Sequence, residues 1–203
     1  MAIDERRLRW DERHQGGDFE GAGPNPTLVA AVSTLAPGRA LELACGSGTN
    51  AVWLAGRGWE TTAVDWSPVA LSNGRAKAER ARVRVDWLER NLYDWTPPKA
   101  AFDLVAIVYL HSPQEERQPI YAAAAAAVKP GGRLVVVGHD RLHAVEGEGG
   151  SPEPDRLFTA HEIAGELTSA DPGLSVERAE VIRQVAPPDR GPIDALLVLR
   201  RDK

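Results

Sequence analysis

Hydrophobic positions along the chain fall into short apolar runs separated by amphipathic segments, an alternation that is typical of an α/β sheet protein. The apolar runs predict strands over residues 40–44, 61–65, 83–88, 102–110 and 133–138. The segments around them predict helices over residues 5–14, 26–34, 50–57, 67–80, 113–128 and 160–168. The run FDLVAIVYL at 102–110 is apolar at nearly every position, as expected for a central parallel strand buried on both faces. The pattern therefore predicts a doubly wound α/β sheet.

Capping and turn residues mark the ends of several of these elements. Ser67 followed by Pro68 predicts a helix N-cap with proline in the first turn, and Thr159 begins the last predicted helix. The segment KPGG at 129–132 is expected to end one helix and to lead into the fifth strand. After the last helix, residues 176–185 and 195–200 predict two closing strands joined by a turn-rich segment.

A glycine-rich turn between the first strand and the following helix is the main chemical signal. Gly46 and Gly48 let the backbone come close to a ligand, and amide N–H groups at the start of a helix point toward it. The same turn fits the G-x-G-x-x-G/A pattern of dinucleotide enzymes, and Asp65 lies about 20 residues further on, as that pattern requires. An NAD(P)-dependent oxidoreductase is therefore one alternative.

Glu42 distinguishes an NAD(P)-dependent oxidoreductase from a second class of enzyme. The residue lies inside the first strand, four positions before Gly46, where a dinucleotide fold would normally carry an apolar side chain. Because an unpaired buried charge is costly, this carboxylate needs a cationic partner, and the amino group of an amino-acid-like ligand would provide one. At this point the sequence resembles the class I S-adenosylmethionine (SAM) dependent methyltransferases, whose first motif is an acid, a short glycine-rich turn and a helix.

The resemblance covers about residues 1–200 and implies a SAM site. It implies that the glycine turn binds the methionine part of SAM, that Asp65 accepts hydrogen bonds from both ribose hydroxyls, and that Trp66 stacks on adenine. Asn91 stands where the family usually has an adenine-reading aspartate, and Ala44 stands where glycine is usual, which a negative φ would allow. The residues expected to contact SAM are Trp10, Arg13, Glu42, Ala44, Gly46, Gly48, Asn50, Asp65, Trp66, Asn91, Leu92 and Tyr109.

The resemblance also implies the fold and the domain organisation. The expected fold is a Rossmann-like, seven-stranded sheet with an antiparallel last strand, formed by one domain over residues 1–203 with residues 1–24 as an amino-terminal lid. The segment WDERH at 10–14 and the Gly-Thr-Asn after the turn resemble the tellurite-resistance and thiopurine-type branch. The Gly/Pro-rich segment 146–154 is a second candidate lid.

Two histidines are the candidates for chemistry on the methyl acceptor. Transfer from a sulfonium is an in-line SN2 displacement, so the enzyme mainly aligns the reacting atoms, and a base is optional. His111 follows the fourth strand and His139 follows the fifth, both at the sheet edge where ligands bind in this fold. Each is expected to act as a base, to position the acceptor, or to serve only as a capping residue. His139, Asp140 and His143 could share a metal, but the sequence provides no further ligand, so no metal is predicted.

Composition restricts the class of acceptor. The net charge of −5 and the isoelectric point near 5.6 oppose a nucleic-acid substrate, so a small-molecule acceptor is expected. The single cysteine rules out an intramolecular disulfide, and the charged amino terminus and lack of a long apolar run predict a cytoplasmic protein without membrane insertion. A non-catalytic SAM-binding domain is the remaining alternative.

Overall fold

The structure is a computed structural model that describes residues 3–16, 23–148, 153–185 and 191–202. Its strands are β1 (Arg39–Leu43), β2 (Glu60–Asp65), β3 (Val85–Glu89), β4 (Phe102–Val108), β5 (Val128–His139), β6 (Leu174–Arg183) and β7 (Ile193–Arg201). Its α-helices are α1 (Ile3–Gln15), α2 (Pro26–Val32), α3 (Thr49–Gly56), α4 (Pro68–Ala81), α5 (Gln114–Ala127), α6 (His143–Glu146) and α7 (Ala160–Ala170). A 3-10 helix spans Pro154–Arg156.

Within these ranges the strands form one seven-stranded sheet in the order β3-β2-β1-β4-β5-β7-β6. Strands β1 to β5 pair in parallel, whereas β7 lies between β5 and β6 and runs antiparallel to both. The predicted doubly wound sheet with an antiparallel last strand is therefore confirmed. The strand order reverses between β1 and β4, and ligands bind at such a switch point in open α/β sheets.

Helices cover both faces of the sheet and divide the core into layers. On one face, Leu28 of α2 and Leu54 of α3 pack with Leu104 of β4. On the other face, Tyr121 of α5 and Ile163 of α7 are among the buried side chains that pack against β1, β4 and β5. The central strands are apolar along most of their length because both of their faces are covered in this way.

In the described part of the chain, side-chain caps begin three of the helices, two of them at the predicted residues. The Ser67 hydroxyl accepts a hydrogen bond from the Ala70 amide at 3.0 Å, with Pro68 in the first turn of α4. Thr159 and Glu162 form a reciprocal capping box at the start of α7. Asn25 caps α2 by accepting from the Leu28 amide at 2.9 Å. Each cap pairs backbone amides that the helix itself leaves unpaired.

The KPGG segment differs from its prediction. Helix α5 does end at Ala127, but residues 129–132 lie inside β5, opposite an irregular register between Phe102 and Leu104. Gly131 has a φ of +82°, and a Cβ on Gly132 would lie 2.8 Å from the Asp103 carbonyl oxygen. The glycines thus allow a bent strand start to pair closely with β4, rather than a separate turn.

Parts of the predicted lids and of the closing turn lie outside the described residues, namely 1–2, 17–22, 149–152 and 186–190. The described remainder of the segment 146–154 holds the end of α6 and the start of the 3-10 helix, neither of which the sequence pattern predicted. Within the described ranges, no helix combines the length and the apolar character that crossing a membrane requires.

Candidate active site

A cavity of about 560 Å³ opens at the carboxyl ends of β1, β2 and β4, beside α1. Most of the residues that the sequence predicted for the site line this cavity. The predicted residues that line it are Trp10, Glu42, Ala44, Gly46, Asn50, Asp65, Trp66, Asn91, Leu92, Tyr109 and His111. Arg13, Gly48 and His139 are not part of its lining.

Glu42 is a buried carboxylate at the floor of the cavity, with 1% of its surface exposed. Its Oε1 accepts a hydrogen bond from Asn50 Nδ2 at 2.8 Å, and Asn50 Oδ1 in turn accepts from the backbone amide of Asn25. Its Oε2 is buried and has no partner among the described residues. Burial raises the pKa of Glu42 to about 7, because desolvation penalises the charged form. Asn50 thus pairs with one carboxylate oxygen and leaves the other unpaired in the described part of the chain.

The glycine turn has the backbone geometry that the sequence indicated at Gly46 and Gly48. Their φ angles are +53° and +64°, in the left-handed region that favours glycine. Gly48 lies behind the cavity wall, where any side chain would clash with the ring of Trp87. It therefore shapes the turn without lining the cavity.

Ala44 departs from the expected conformation. A negative φ would have accommodated alanine at this position without strain, but the φ of Ala44 is +54°. The family's usual glycine would take this conformation freely, whereas a Cβ makes it unfavourable by about 1–2 kcal/mol. Strain at a residue that lines the cavity is therefore a property of this chain.

Asp65 ends β2 and faces the turn. Its Oδ2 accepts from the Gly46 amide at 2.8 Å, and its Oδ1 accepts from the Ser67 amide at 2.9 Å. Burial raises the pKa of Asp65 above its ordinary value, with backbone hydrogen bonds opposing this effect. The carboxylate thus ties the glycine turn to the start of α4 and also lines the cavity.

Aromatic and amide groups form the wall after β2 and β3. The ring of Trp66 lies 5.9 Å from that of Tyr93, centroid to centroid. Asn91 Oδ1 accepts from the Tyr93 amide at 3.1 Å, so this oxygen already serves the local turn. Leu92 lines the same wall and packs partly against the core.

Helix α1 covers the cavity with a face that the sequence analysis identified only in part. Arg6, Trp10 and His14, spaced four residues apart, line the cavity. Arg13 lies on another face, with its guanidinium 4.7 Å from the centroid of the Trp10 ring. The i, i+4, i+8 spacing was the available signal for Arg6 and His14. Asp11 holds the helix in place, because it accepts a hydrogen bond from the Ser67 hydroxyl at 2.5 Å.

His111 lines the cavity, but its geometry opposes the role of a base. The backbone amide of His139 donates to His111 Nε2 at 3.0 Å, so the proton of the neutral ring is on Nδ1. Burial is the main cause that lowers the pKa of His111 to about 3, and the nearby His139 lowers it further. At neutral pH the ring therefore offers a hydrogen-bond donor, Nδ1–H, and no free acceptor nitrogen.

His139 lies behind His111 and belongs to a buried polar cluster. Its ring stacks between His111, at 5.0 Å, and His143, at 4.2 Å. Its Nδ1 lies 3.1 Å from Oδ1 of the fully buried Asp194, which also accepts from the Tyr109 hydroxyl at 2.9 Å. Asp194 was not predicted, because nothing in the sequence distinguishes it from other aspartates in the closing strands.

The same stacking contradicts the alternative of a metal shared by His139 and His143. The two rings are 9° from parallel, so they face each other with their planes and do not converge with their nitrogens. His143 Nδ1 accepts from the Ile193 amide at 3.2 Å. Among the described residues, no group of three or more His, Cys, Asp or Glu side chains is arranged to hold a metal ion.

Comparison with known proteins bears on this arrangement. Residues 40–132, from β1 to the start of β5, match a family model described as a methyltransferase domain. The resemblance to class I SAM-dependent methyltransferases is confirmed. The matched segment contains the glycine turn and Asp65, whereas α1, His139 and Asp194 lie outside it.

Two curated methyltransferases illustrate the sequence similarity. The demethylmenaquinone methyltransferase of Thermus thermophilus is 35% identical over 104 residues, which are 50% of this chain and 47% of that protein. The ubiquinone biosynthesis O-methyltransferase of Xanthomonas euvesicatoria is 30% identical over 114 residues, 54% of this chain and 48% of that protein. This chain thus spans about half the length of the curated methyltransferases that it matches.

Solved structures show that the methyltransferase fold extends over nearly the whole chain. A structure from work on disulfide-to-thioacetal conversion in echinomycin biosynthesis has a TM-score of 0.73 at 21% identity, covering 97% of this chain and 92% of that one. The N-methyltransferase NodS of Bradyrhizobium japonicum, solved with S-adenosylhomocysteine, has a TM-score of 0.67 at 16% identity, covering 95% and 87%. The tellurite-resistance and thiopurine-type branch stays a prediction.

Proposed function

We propose that this chain transfers a methyl group from SAM to a small-molecule acceptor by in-line SN2 displacement and releases S-adenosylhomocysteine. The observation that carries the proposal is the vacant, buried Oε2 of Glu42 on the floor of the cavity. SAM supplies an electrophilic methyl group on a sulfonium, next to an amino-acid end with an ammonium group. Glu42 would hold that ammonium group, which provides the cation that a buried carboxylate requires.

The remaining cofactor contacts follow from the walls of the cavity. Asp65 would accept from the ribose hydroxyls, since a carboxylate with two amide hydrogen bonds still has lone pairs free for others. Trp66 would stack against the adenine ring. Helix α1 would exclude water from the reacting centre, because Trp10 closes one side of the cavity.

The chemical step needs positioning more than proton transfer. His111 would donate its Nδ1–H to the acceptor, while the His139 amide and the Asp194 cluster keep the ring in one orientation. Because the His111 nitrogen lone pair is already engaged, an acceptor hydroxyl would reach the site ionised or lose its proton to water. Alignment of nucleophile, methyl carbon and sulfur would then provide most of the rate acceleration.

The two alternatives are less well supported. An NAD(P)-dependent oxidoreductase would leave Glu42 without a cation, and the antiparallel β7 is the ending expected for a methyltransferase sheet. A non-catalytic SAM-binding domain should have its acceptor pocket filled by side chains, whereas the cavity of about 560 Å³ continues past the end of β4 to Leu110 and Ile120. A cytoplasmic location is part of the proposal and stays a prediction.

Calorimetric titration with SAM, S-adenosylhomocysteine and NAD in parallel tests the proposal. The wild-type chain should bind both sulfur ligands and not NAD. Glu42→Gln should weaken SAM binding by about tenfold or more, since it removes a charged hydrogen bond. Glu60→Gln is the matched control, because Glu60 lies at the opposite end of β2 with its side chain 80% exposed.

Each outcome assigns the chain to one function. Binding of NAD alone would reassign Asp65 to a dinucleotide ribose and refute the methyltransferase proposal. If SAM binds, methyl transfer from labelled SAM is measured with a panel of acceptors. The first acceptors tested should be demethylated quinone precursors, since two relatives are named for quinone methylation. SAM binding without turnover on any acceptor would favour the non-catalytic alternative.

A further inference from the structure

Carboxylates line only one end of the cavity among the described residues. Glu42, Asp65 and Arg90 lie near the carboxyl ends of β1, β2 and β3, where SAM is proposed to bind. Beyond the end of β4, the lining contains Arg6 and Arg156, and we call this part the acceptor end. Its apolar wall consists of Tyr93, Leu110, Pro113 and Ile120.

The two arginines come from distant parts of the chain, and both line the cavity. Arg6 Nη1 donates to Glu116 Oε2 at 2.7 Å, and the charges of both Arg6 and Arg156 lower the pKa of Glu116. Arg156 ends the 3-10 helix, and the buried Leu157 directly after it anchors this position. The tertiary structure therefore brings two guanidinium groups to one end of the cavity.

These guanidinium groups keep capacity for a ligand. Their partners Glu116 and Glu153 are not part of the cavity lining, whereas the arginines are. The side chains of Arg6 and Arg156 are 21% and 34% exposed, so each keeps accessible surface beside its ion pair. A guanidinium offers five N–H donors in a fork that matches a carboxylate.

The other polar groups of the acceptor end suit the same kind of ligand. His111 offers its Nδ1–H, because its other nitrogen accepts from the His139 amide. No carboxylate lines the acceptor end in the described part of the chain. Because Glu116 and Glu153 already offset the two positive charges, the acceptor end has no excess charge to balance a doubly charged phosphate, and a carboxylate would be bound mainly through guanidinium N–H donors.

We propose that the methyl acceptor is a small apolar molecule carrying one carboxylate, which Arg156 and Arg6 bind while its apolar body lies against Leu110 and Ile120. This inference rests on the proposed function, because it takes the opposite end of the cavity as the SAM site. The carboxylate is an anchor and is separate from the atom that is methylated.

Benzoate and its neutral isostere benzamide test the anchor. Both are titrated into wild-type protein saturated with S-adenosylhomocysteine, and benzoate should bind at least about tenfold more tightly. Arg156→Gln should abolish that preference while leaving benzamide and S-adenosylhomocysteine binding unchanged, and Arg6→Gln should reduce it. Arg133→Gln is the matched control, because Arg133 forms a similarly exposed ion pair with Glu177 outside the cavity.

Several results would overturn the inference while leaving the proposed function intact. These are equal affinity for benzoate and benzamide, binding of neither, or an equal loss of both in Arg156→Gln. Absence of S-adenosylhomocysteine binding would instead refute the proposed function and this inference with it. Unchanged cofactor affinity in Arg156→Gln shows that the variant is folded, so a lost preference cannot be attributed to misfolding.

Discussion

Glu42→Gln should change the pH dependence of stability in a way that identifies the buried carboxylate. Burial raises the pKa of Glu42 from 4.5 to about 7 in the folded protein. Between these two values the folded state binds a proton that the unfolded state has released. The contribution of Glu42 to the stability of the cofactor-free protein should therefore be largest below about pH 4.5. It should be lost as the pH rises from there through about 7.

The size of the effect follows from the pKa shift. A difference of about 2.5 units corresponds to about 3 kcal/mol, because each unit is worth 1.36 kcal/mol. For a chain of 203 residues this is roughly 6–12 °C in Tm. Glutamine keeps the shape and can still accept from Asn50 Nδ2, but it carries no charge at any pH. The variant should therefore nearly equal wild type near about pH 4 and exceed it near about pH 8.

Thermal and urea unfolding of the cofactor-free protein at these two pH values measure the difference. Glu60→Gln is the control for removing one negative charge, and it should follow wild type at both values because its side chain is exposed. Saturation with SAM should reverse the order at high pH, since only wild type can pair the ammonium group. If Glu42→Gln and wild type differ equally at both pH values, the carboxylate does not titrate as its burial requires and the reasoning is wrong.

Three further predictions concern the same cavity. Asp65→Asn should weaken SAM binding in calorimetry by about tenfold or more, because the amide has one acceptor oxygen for the Gly46 and Ser67 amides and loses the charge that strengthens ribose hydrogen bonds; unchanged affinity would refute the ribose assignment. The pH profile of turnover should contain no inflection from His111 between about pH 5 and 8, since its pKa is lowered to about 3 by burial; an inflection that disappears in His111→Gln would contradict this. Ala44→Gly should raise the free energy of unfolding in urea by up to about 1 kcal/mol by relieving the positive φ, whereas Ala40→Gly, in an extended strand, should lower it; equal losses in both would argue against strain at Ala44.

Several features were determined by the sequence because they depend on local pattern. The continuous apolar run of β4 indicated a strand covered on both faces, and the two closing strands were predicted without knowledge of their partners. Ser67 capped its helix as expected, because its hydroxyl needs only an amide three residues away. Glu42 could be recognised as unusual because a charge in an apolar strand conflicts with its surroundings.

Other features depended on where the chain packs. The sequence pointed to Ala44 but could not determine the sign of its φ, which the close approach of the turn imposes. His111 and His139 looked equivalent as residues following parallel strands. Packing made the first a donor at the cavity wall and placed the second behind it, in contact with Asp194.

The sequence by itself determined the fold class, the glycine turn and the acidic residues proposed to bind the cofactor, since these lie in consecutive strand, turn and helix segments whose pattern is local. Only the tertiary structure decided the composition of the acceptor end. Arg6 of α1 and Arg156 of the 3-10 helix are 150 positions apart, and no local pattern relates them. They reach one cavity because α1 packs on α4 while Leu157 and Phe158 are buried in the core, and such long-range burial is a property of the folded chain as a whole.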